Sequence, residues 1–290
     1  MANFRNFKLP QLLRRSTETV NIPQFDLNKL VVKERIGQGS FSNVFTAMFK
    51  APGSDETETV VVKKMINVLD QEERKLFSKE VAILHGLNHT NVVKFKAVCY
   101  KPQAMMLEYI CFDFKPFGQD ICVSALSDFL LEIDDANCEG IHDWVNHAAK
   151  EIIQGLAYLH SNGIAHRDLK SANILVSNQH YSSLCVEDRE FELMFQSRPV
   201  ACKLTDFGES RSLLIQAQTM LASKTNNVDR GTVVQHGSET PVERNGSIYR
   251  IHRWLKADIW ALGMIFFTMI NPNLKSPYTL EIRSGFASKL

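Results

Sequence analysis

The chain has 290 residues, enough to bury a large core as one domain or as two lobes. Its 33 Lys and Arg against 32 Asp and Glu leave a net charge of +1, which argues against a general nucleic-acid or polyanion binder. The six cysteines (Cys99, Cys111, Cys122, Cys138, Cys185 and Cys202) form no Cys-x-x-Cys pair, so neither a zinc site nor a disulfide framework is suggested and a reducing intracellular compartment fits better.

Residues 1–15 are basic, contain no acidic residue and lack the apolar core of a secretory signal. They read as a solvated extension, and 1–24 is expected to be disordered. Next comes Ile36-Gly37-Gln38-Gly39-Ser40-Phe41-Ser42-Asn43-Val44, with two glycines between strand-like runs. Glycine lets backbone amides approach phosphate oxygens closely. Val60, Val61 and Val62 then indicate a buried strand that ends in Lys63 and Lys64. Over 71–87 the apolar positions Leu76, Phe77, Val81, Ile83, Leu84 and Leu87 have helical spacing. Glu80 lies on that helix, where a lone Glu is ordinarily a surface charge. Met105, Met106 and Leu107 form a strand-like run that ends in Glu108, Tyr109 and Ile110. Beyond it Phe112, Phe114 and Phe117 alternate with polar residues before Gly118, which reads as an inserted loop or hairpin.

A longer helix is expected over 144–160, with Ile152, Ile153, Leu156 and Leu159 at helical spacing and Gly163 just past its end. It leads into the polar stretch His166-Arg167-Asp168-Leu169-Lys170-Ser171-Ala172-Asn173, followed by the short strand-like run Ile174, Leu175, Val176. A carboxylate (Asp168), an ammonium (Lys170) and an amide (Asn173) within six positions suit phosphoryl transfer. The carboxylate orients a hydroxyl, the cation meets the moving phosphoryl group, and the amide oxygen holds a metal ion. Residues 177–201 mix acidic and aromatic side chains, and read as a solvated loop carrying a short amphipathic helix. An apolar run then ends in Asp206-Phe207-Gly208. Residues 210–244 are rich in Ser, Thr, Asn and Gly. The apolar helix over 259–270 begins beside Asp258 and is too short to span a membrane.

Taken in this order, the stretches resemble the motif set of eukaryotic protein kinases, from about residue 30 to 280. Asp-Leu-Lys-Ser-Ala-Asn is similar to serine/threonine kinases, particularly the tyrosine-kinase-like group. The resemblance implies ATP and Mg²⁺ as cofactors. It implies a nucleotide pocket of Ile36, Gly37, Gly39, Val44, Val61, Lys63, Leu107 (gatekeeper), Glu108, Ile110 and Leu175, with the backbone of Glu108 and Ile110 on the adenine. Lys63, preferred over Lys64, would pair with the phosphates and with Glu80. Asp168 would act as base, Lys170 would neutralise the γ-phosphate, and Asn173 and Asp206 would hold the metal. Arg167 would meet an activation-loop phosphate, with Ser212, Thr219, Ser223, Thr225 and Thr232 as candidate sites. Asp258 would hydrogen-bond the catalytic-loop backbone.

The expected fold is α+β: a two-lobed kinase fold with an antiparallel first lobe (25–107), a hinge (108–111) and a mainly helical second lobe (112–290). Insertions are expected at about 112–123 and 177–201. The family's last helices have no counterpart after Pro272, so an exposed apolar flank is expected on 259–270. The expected activity is transfer of the γ-phosphate of ATP to serine or threonine hydroxyls of proteins, in the cytoplasm. Protein substrates and an upstream activating kinase are the implied partners, without nucleic acid or a transmembrane segment. The alternative is a weakly active or inactive pseudokinase scaffold that binds ATP and partner proteins, favoured by four departures: Val61 in place of alanine, Glu209 beside the metal motif, Pro241-Val242-Glu243 where Ala-Pro-Glu is usual, and the missing last helices.

Overall fold

The computed structural model describes residues 21–38, 42–51, 53–66, 69–136, 144–212 and 247–271. The valine-rich run lies inside a five-stranded antiparallel sheet. Its strands are β1 (Val31–Gln38), β2 (Ser42–Lys50), β3 (Thr57–Met65), β4 (Phe95–Tyr100) and β5 (Gln103–Glu108), in the order β1-β2-β3-β5-β4. Val44 stands opposite Lys63, Lys63 opposite Met105, and Val61 opposite Leu107. Opposed residues share a face and alternate residues return to it. One face therefore carries Val44, Val61, Lys63, Met105 and Leu107. The other buries Ala47, Val60, Val62, Ala104 and Met106 in a separate cluster with Phe25, Leu27 and Phe49.

Helix α1 (Gln71–Gly86) packs on the Lys63 face. A capping box between Asp70 and Glu73 starts it, and Phe77, Glu80, Val81, Ile83 and Leu84 are its buried positions. The N-terminal extension is shorter than expected. The Val98 amide donates to the Pro23 carbonyl at 2.9 Å, the Phe25 amide donates back to Val98 at 3.1 Å, and Ile22 packs on the main core. The open edge of β4 offers hydrogen-bonding groups, and residues 22–25 take them.

After β5 the chain forms a small hairpin of β6 (Phe112–Asp113) and β7 (Cys122–Val123). Phe112 and Phe114 are fully buried beside Phe129 on α2 (Leu126–Ala136). Helix α3 (Trp144–Ser161) ends before Gly163, whose φ of 67° is easy only for glycine. Strands β8 (Ile164–Ala165) and β9 (Ile174–Ser177) flank the polar loop. Then come α4 (Arg189–Ser197), β10 (Ala201–Leu204), β11 (Arg211–Ser212) and α5 (Ser247–Ile270).

Ser177 and Ala201 pair directly across β9 and β10, so the second insertion is 178–200, a little shorter than expected. Its amphipathic helix is α4. Phe191 of α4 packs edge-on against the buried Tyr181, and Phe195 lies 5.7 Å from Phe117 of the first insertion. Asn178 clasps Asp113, accepting from its amide and donating to its carbonyl, both at 2.8 Å. The two insertions thus fold against each other.

Asn91, between α1 and β4, joins the lobes. Its side chain donates to Glu151 on α3 and to the Cys202 carbonyl, while its own carbonyl accepts from Leu204. A depression of about 660 Å³ lined by His89, Asn91, Glu151, Tyr158 and Arg198 opens beside this junction. On α5, Ile259 and Trp260 are 56% and 43% exposed. Residues 272–290, and with them the expected absence of the last helices, lie outside the described residues.

Gly155 of α3 is where the helix touches this junction: a Cβ there would meet the Asn91 carbonyl oxygen at 2.6 Å. Alanine normally stabilises a helix interior by up to ~1 kcal/mol over glycine. Here backbone has to move, so Gly155→Ala should destabilise by about 1–3 kcal/mol in urea unfolding. An unchanged or raised midpoint would contradict this close approach.

Candidate active site

The polar loop hangs from one buried carboxylate. Asp258 of α5 is 1% exposed. Its Oδ2 accepts from the His166 amide and its Oδ1 from the Arg167 amide, both at 2.8 Å. His160 Nε2 lies 2.9 Å from Oδ2. Held this way, Arg167 keeps a φ of 72°, a left-handed conformation that costs energy for a residue with a Cβ. Its guanidinium lies over Trp254 at 4.9 Å and donates to the Glu209 carbonyl at 3.3 Å. His166 Nε2 is 2.9 Å from the Thr205 carbonyl, and its ring packs near Phe207.

Asp168 is the hub of the loop. Its Oδ2 accepts from Lys170 Nζ at 2.7 Å and from Asn173 Nδ2 at 3.0 Å. Asn173 Nδ2 also donates to the Asp168 carbonyl at 2.7 Å. Both bonds use the amide nitrogen, which turns the Asn173 oxygen away from Asp168. The Thr205 amide donates to the Asn173 carbonyl at 3.0 Å, so Asp206 follows immediately beside Asn173.

Lys63, and not Lys64, makes the charge contacts. Its Nζ lies 2.8 Å from Glu80 Oε1 and 3.0 Å from Asp206 Oδ1. Burial opposes the ammonium, but the two carboxylates outweigh it and hold the Lys63 pKa above its ordinary value. The Lys63 charge in turn holds the Asp206 carboxyl below its usual range, against the opposing effect of burial. Asp206 has a φ of 62°, the second left-handed residue without a glycine's freedom, and the Lys63 contact helps fix it there. Phe207, 1% exposed, fills the core beside the buried face of α1.

Of the candidate nucleotide residues, Gly37, Val44, Val61 and Leu107 share the Lys63 face of the sheet, while Glu108 stands opposite Val60 on the other face and Ile110 and Leu175 lie outside the sheet. Gly37 opposes Val44, Val44 opposes Lys63, and Val61 opposes Leu107. Ile36 is 43% exposed at the outer edge, while Leu107 and Ile110 are buried. Val61 and Leu175 are half-buried against the main core. Gly39 lies outside the described residues, as do 213–246 with Thr219, Ser223, Thr225, Thr232 and the irregular Pro241-Val242-Glu243; only the backbone of Ser212 is described.

Several contacts escaped the sequence reading. The Glu108 side chain accepts from the Lys94 amide and from Lys203 Nζ, both at 2.7 Å, and ties the hinge to β10. Glu151 gathers Asn91, Arg198 and the Cys202 amide. A charged residue inside a mostly apolar helix is the only sequence signal for Glu151, and none marks the Glu108 tie.

Residues 30–281 match the protein kinase domain family. The chain belongs to that family. A probable serine/threonine-protein kinase of Dictyostelium discoideum, fhkE, is 29% identical over 64% of this chain and 22% of its own length. LIM domain kinase 1 of Drosophila melanogaster is 34% identical over 56% of this chain and 12% of its own length. The kinase chain is thus a distant homologue of serine/threonine kinases, and the matches span less than a quarter of these relatives.

Two outcomes test this geometry. Asp258→Ala strands two buried backbone amides and His160, and should lower unfolding stability by about 3 kcal/mol or more. A loss near zero would show that the loop does not depend on Asp258. Because the folded Asp206 pKa is depressed, its contribution to stability is complete above the ordinary carboxylate range and is lost as pH falls through the lowered value. In Lys63→Met the Asp206 carboxyl should therefore titrate at higher pH than in the wild type, read from its side-chain carbon resonance. An unshifted titration would mean that Lys63 does not hold it.

Proposed function

We propose that this kinase domain is an active enzyme that transfers the γ-phosphate of ATP to serine or threonine hydroxyls of proteins. The observation that carries the reading is the charge arrangement around Lys63 and Asp168. Lys63 is already paired with Glu80, and Asp168 is already held by Lys170 and Asn173. A site that needs no rearrangement of these groups supports positioning and charge stabilisation, the main sources of rate in phosphoryl transfer.

Lys63, anchored by Glu80, would hold the α- and β-phosphates. Leu107 and Ile110 would shape the adenine slot, with the Glu108 and Ile110 backbone as its hydrogen-bonding edge. Asp168 would orient the substrate hydroxyl and accept its proton on the carboxylate, and Lys170 would offset charge on the γ-phosphate. Asp206 and the amide oxygen of Asn173 are hard oxygen donors, a set that fits magnesium, which commonly takes one or two protein oxygens and completes its shell with phosphate and water. When bound, Mg²⁺ supplies neutralisation of the phosphate charge. The Asp-Leu-Lys form of the loop and the serine/threonine kinase relatives support hydroxyl substrates of that class. An upstream kinase acting within 210–244 would complete the regulation.

Magnesium-dependent transfer from radiolabelled ATP to the chain itself or to a generic protein tests the reading. Wild type should transfer label to Ser or Thr. Asp168→Asn should lose transfer by on the order of 10² to 10⁴ while keeping nucleotide-induced thermal stabilisation. Transfer that survives Asp168→Asn would remove that residue from its role. Stabilisation by ATP without any transfer would instead identify a nucleotide-binding scaffold.

A further inference from the structure

The pairing of residues 22–25 with β4 fixes the side from which the N-terminus enters the fold. Gln24 is bridged to Val98 in the parallel sense. The Val98 amide donates to the Pro23 carbonyl, and the Phe25 amide donates to the Val98 carbonyl. In a parallel pair, a step back along one strand is a step back along the other. Asn21 therefore stands near Phe95, the first residue of β4. Residues 1–20 lie outside the described residues. They join the fold at this point, beside the segment 88–93 that precedes β4.

The depression of about 660 Å³ opens at that segment. His89 and Asn91 form one wall, and Gln154, Ala157 and Tyr158, on one face of α3, form the other. The walls are tied together: the Asn88 amide donates to the Tyr158 hydroxyl at 3.0 Å, and the His89 ring stacks on Tyr158 at 4.6 Å. Ile153, one turn before Ala157, is 45% exposed and prolongs the apolar part of the α3 wall. At the far end stands Arg198, its charge met by Glu151. One and two turns back from Arg198 along α4 come Met194 and Glu190, with Leu193 beside them. Met194 and Leu193 are 36% and 56% exposed. Glu187, Asp188, Glu190 and Glu192 are exposed around them, with Arg189 as the one cation within 186–197. The surface that begins at the depression thus continues as an acidic face with uncovered apolar side chains.

We propose that residues 4–15 of this same chain dock along this surface, from the depression to α4, and strap the two lobes together. The chemistry of the segment is complementary to it. Arg5, Lys8, Arg14 and Arg15 are basic, no residue of 4–15 is acidic, and Phe4, Phe7, Leu9, Leu12 and Leu13 are apolar. The reach is sufficient. Residues 16–20 extend over roughly 17 Å, while the step from Phe95 back to Asn91 is at most about 14 Å. Leu12 and Leu13 therefore arrive at the Ala157 and Tyr158 wall, and residues 4–8 arrive at the carboxylates of α4. The docked segment continues an interface that residues 22–25 already make on β4. Its tether also makes weak contacts count. A short linker gives an effective concentration on the order of 1 mM, so a site with a Kd of about 0.1 mM stays roughly nine-tenths filled. One end of the strap is fixed on the first lobe and the other lies on α3 and α4 of the second. This docking is independent of phosphate transfer.

The rate of cleavage after Arg14 and Arg15 by an arginine-specific protease tests the strap in the full chain, with a synthetic peptide of residues 1–20 as the undocked reference. Cleavage follows the population of the undocked form, so the full chain should be cut about tenfold more slowly than the peptide. Two changes on the receiving surface should each bring the rate to within about twofold of the peptide: Ala157→Lys in the depression, and Glu187→Lys, Glu190→Lys and Glu192→Lys together on α4. All four positions are exposed, and neither change touches the cleavage sites. Adding Arg5→Glu and Lys8→Glu to the α4 variant reverses both partners and should restore the protection. Restoration separates docking from damage to α4, because a misfolded helix would not be rescued from the N-terminus. Cleavage of the wild type at the peptide rate, protection that survives both surface changes, or a charge reversal that restores nothing would overturn the proposal. Protection that grows with chain concentration would assign the surface to a second copy and overturn the intramolecular strap.

Discussion

A single carboxylate at the start of the apolar part of α5 decides the shape of the loop that carries the chemistry. Burying Asp258 is expensive unless its oxygens are filled. They are filled by the amides of His166 and Arg167 and by the His160 ring, each from the segment that α3 delivers. In return, the loop backbone is held in a conformation that Arg167 would not adopt alone. Asp168, Lys170 and Asn173 inherit their positions from this anchor. The same buried center sets His166 against Thr205 and Phe207, so the segment bearing Asp206 is aligned by the same constraint.

Lys63 closes the other half of the site. Three parts of the chain meet on its ammonium: β3 supplies the lysine, α1 supplies Glu80, and the turn after β10 supplies Asp206. Each carboxylate alone would be a partly desolvated charge. Together they keep the lysine charged despite burial, and the lysine keeps Asp206 ionised. The lobes therefore meet across an ion network, with a second tie through Asn91 and Glu151 away from it.

Much of this was readable in the sequence because local rules carry it. The three valines identify a buried strand, and strand alternation then makes Val61, Lys63 and Leu107 share one face. Glu80 is different: local rules make it a surface charge, only the kinase resemblance turns it inward, and it is buried on α1. Choosing Lys63 over Lys64 and assigning Asp258 to the loop backbone needed the kinase resemblance; Lys63 lies against Glu80, and Asp258 accepts from the His166 and Arg167 amides. Other features have no local signal. Glu108 finds Lys203 ninety-five residues away, and Asn178 finds Asp113 sixty-five residues back. Neither partner has a spacing that marks it. Residues 22–24 looked like loose extension because only the open edge of β4, formed much later in the chain, gives their backbone something to bind.

In the function proposed above, Lys63, Asn173 and Asp206 take a nucleotide together with a metal. Calorimetric titration of ATP with and without Mg²⁺ tests it most directly, on wild type and on Asp206→Asn. ATP should bind the wild type more tightly with Mg²⁺ than without, and that gain should vanish in Asp206→Asn. Equal affinity with and without the metal in the wild type, or a gain that survives the substitution, would contradict the arrangement described here.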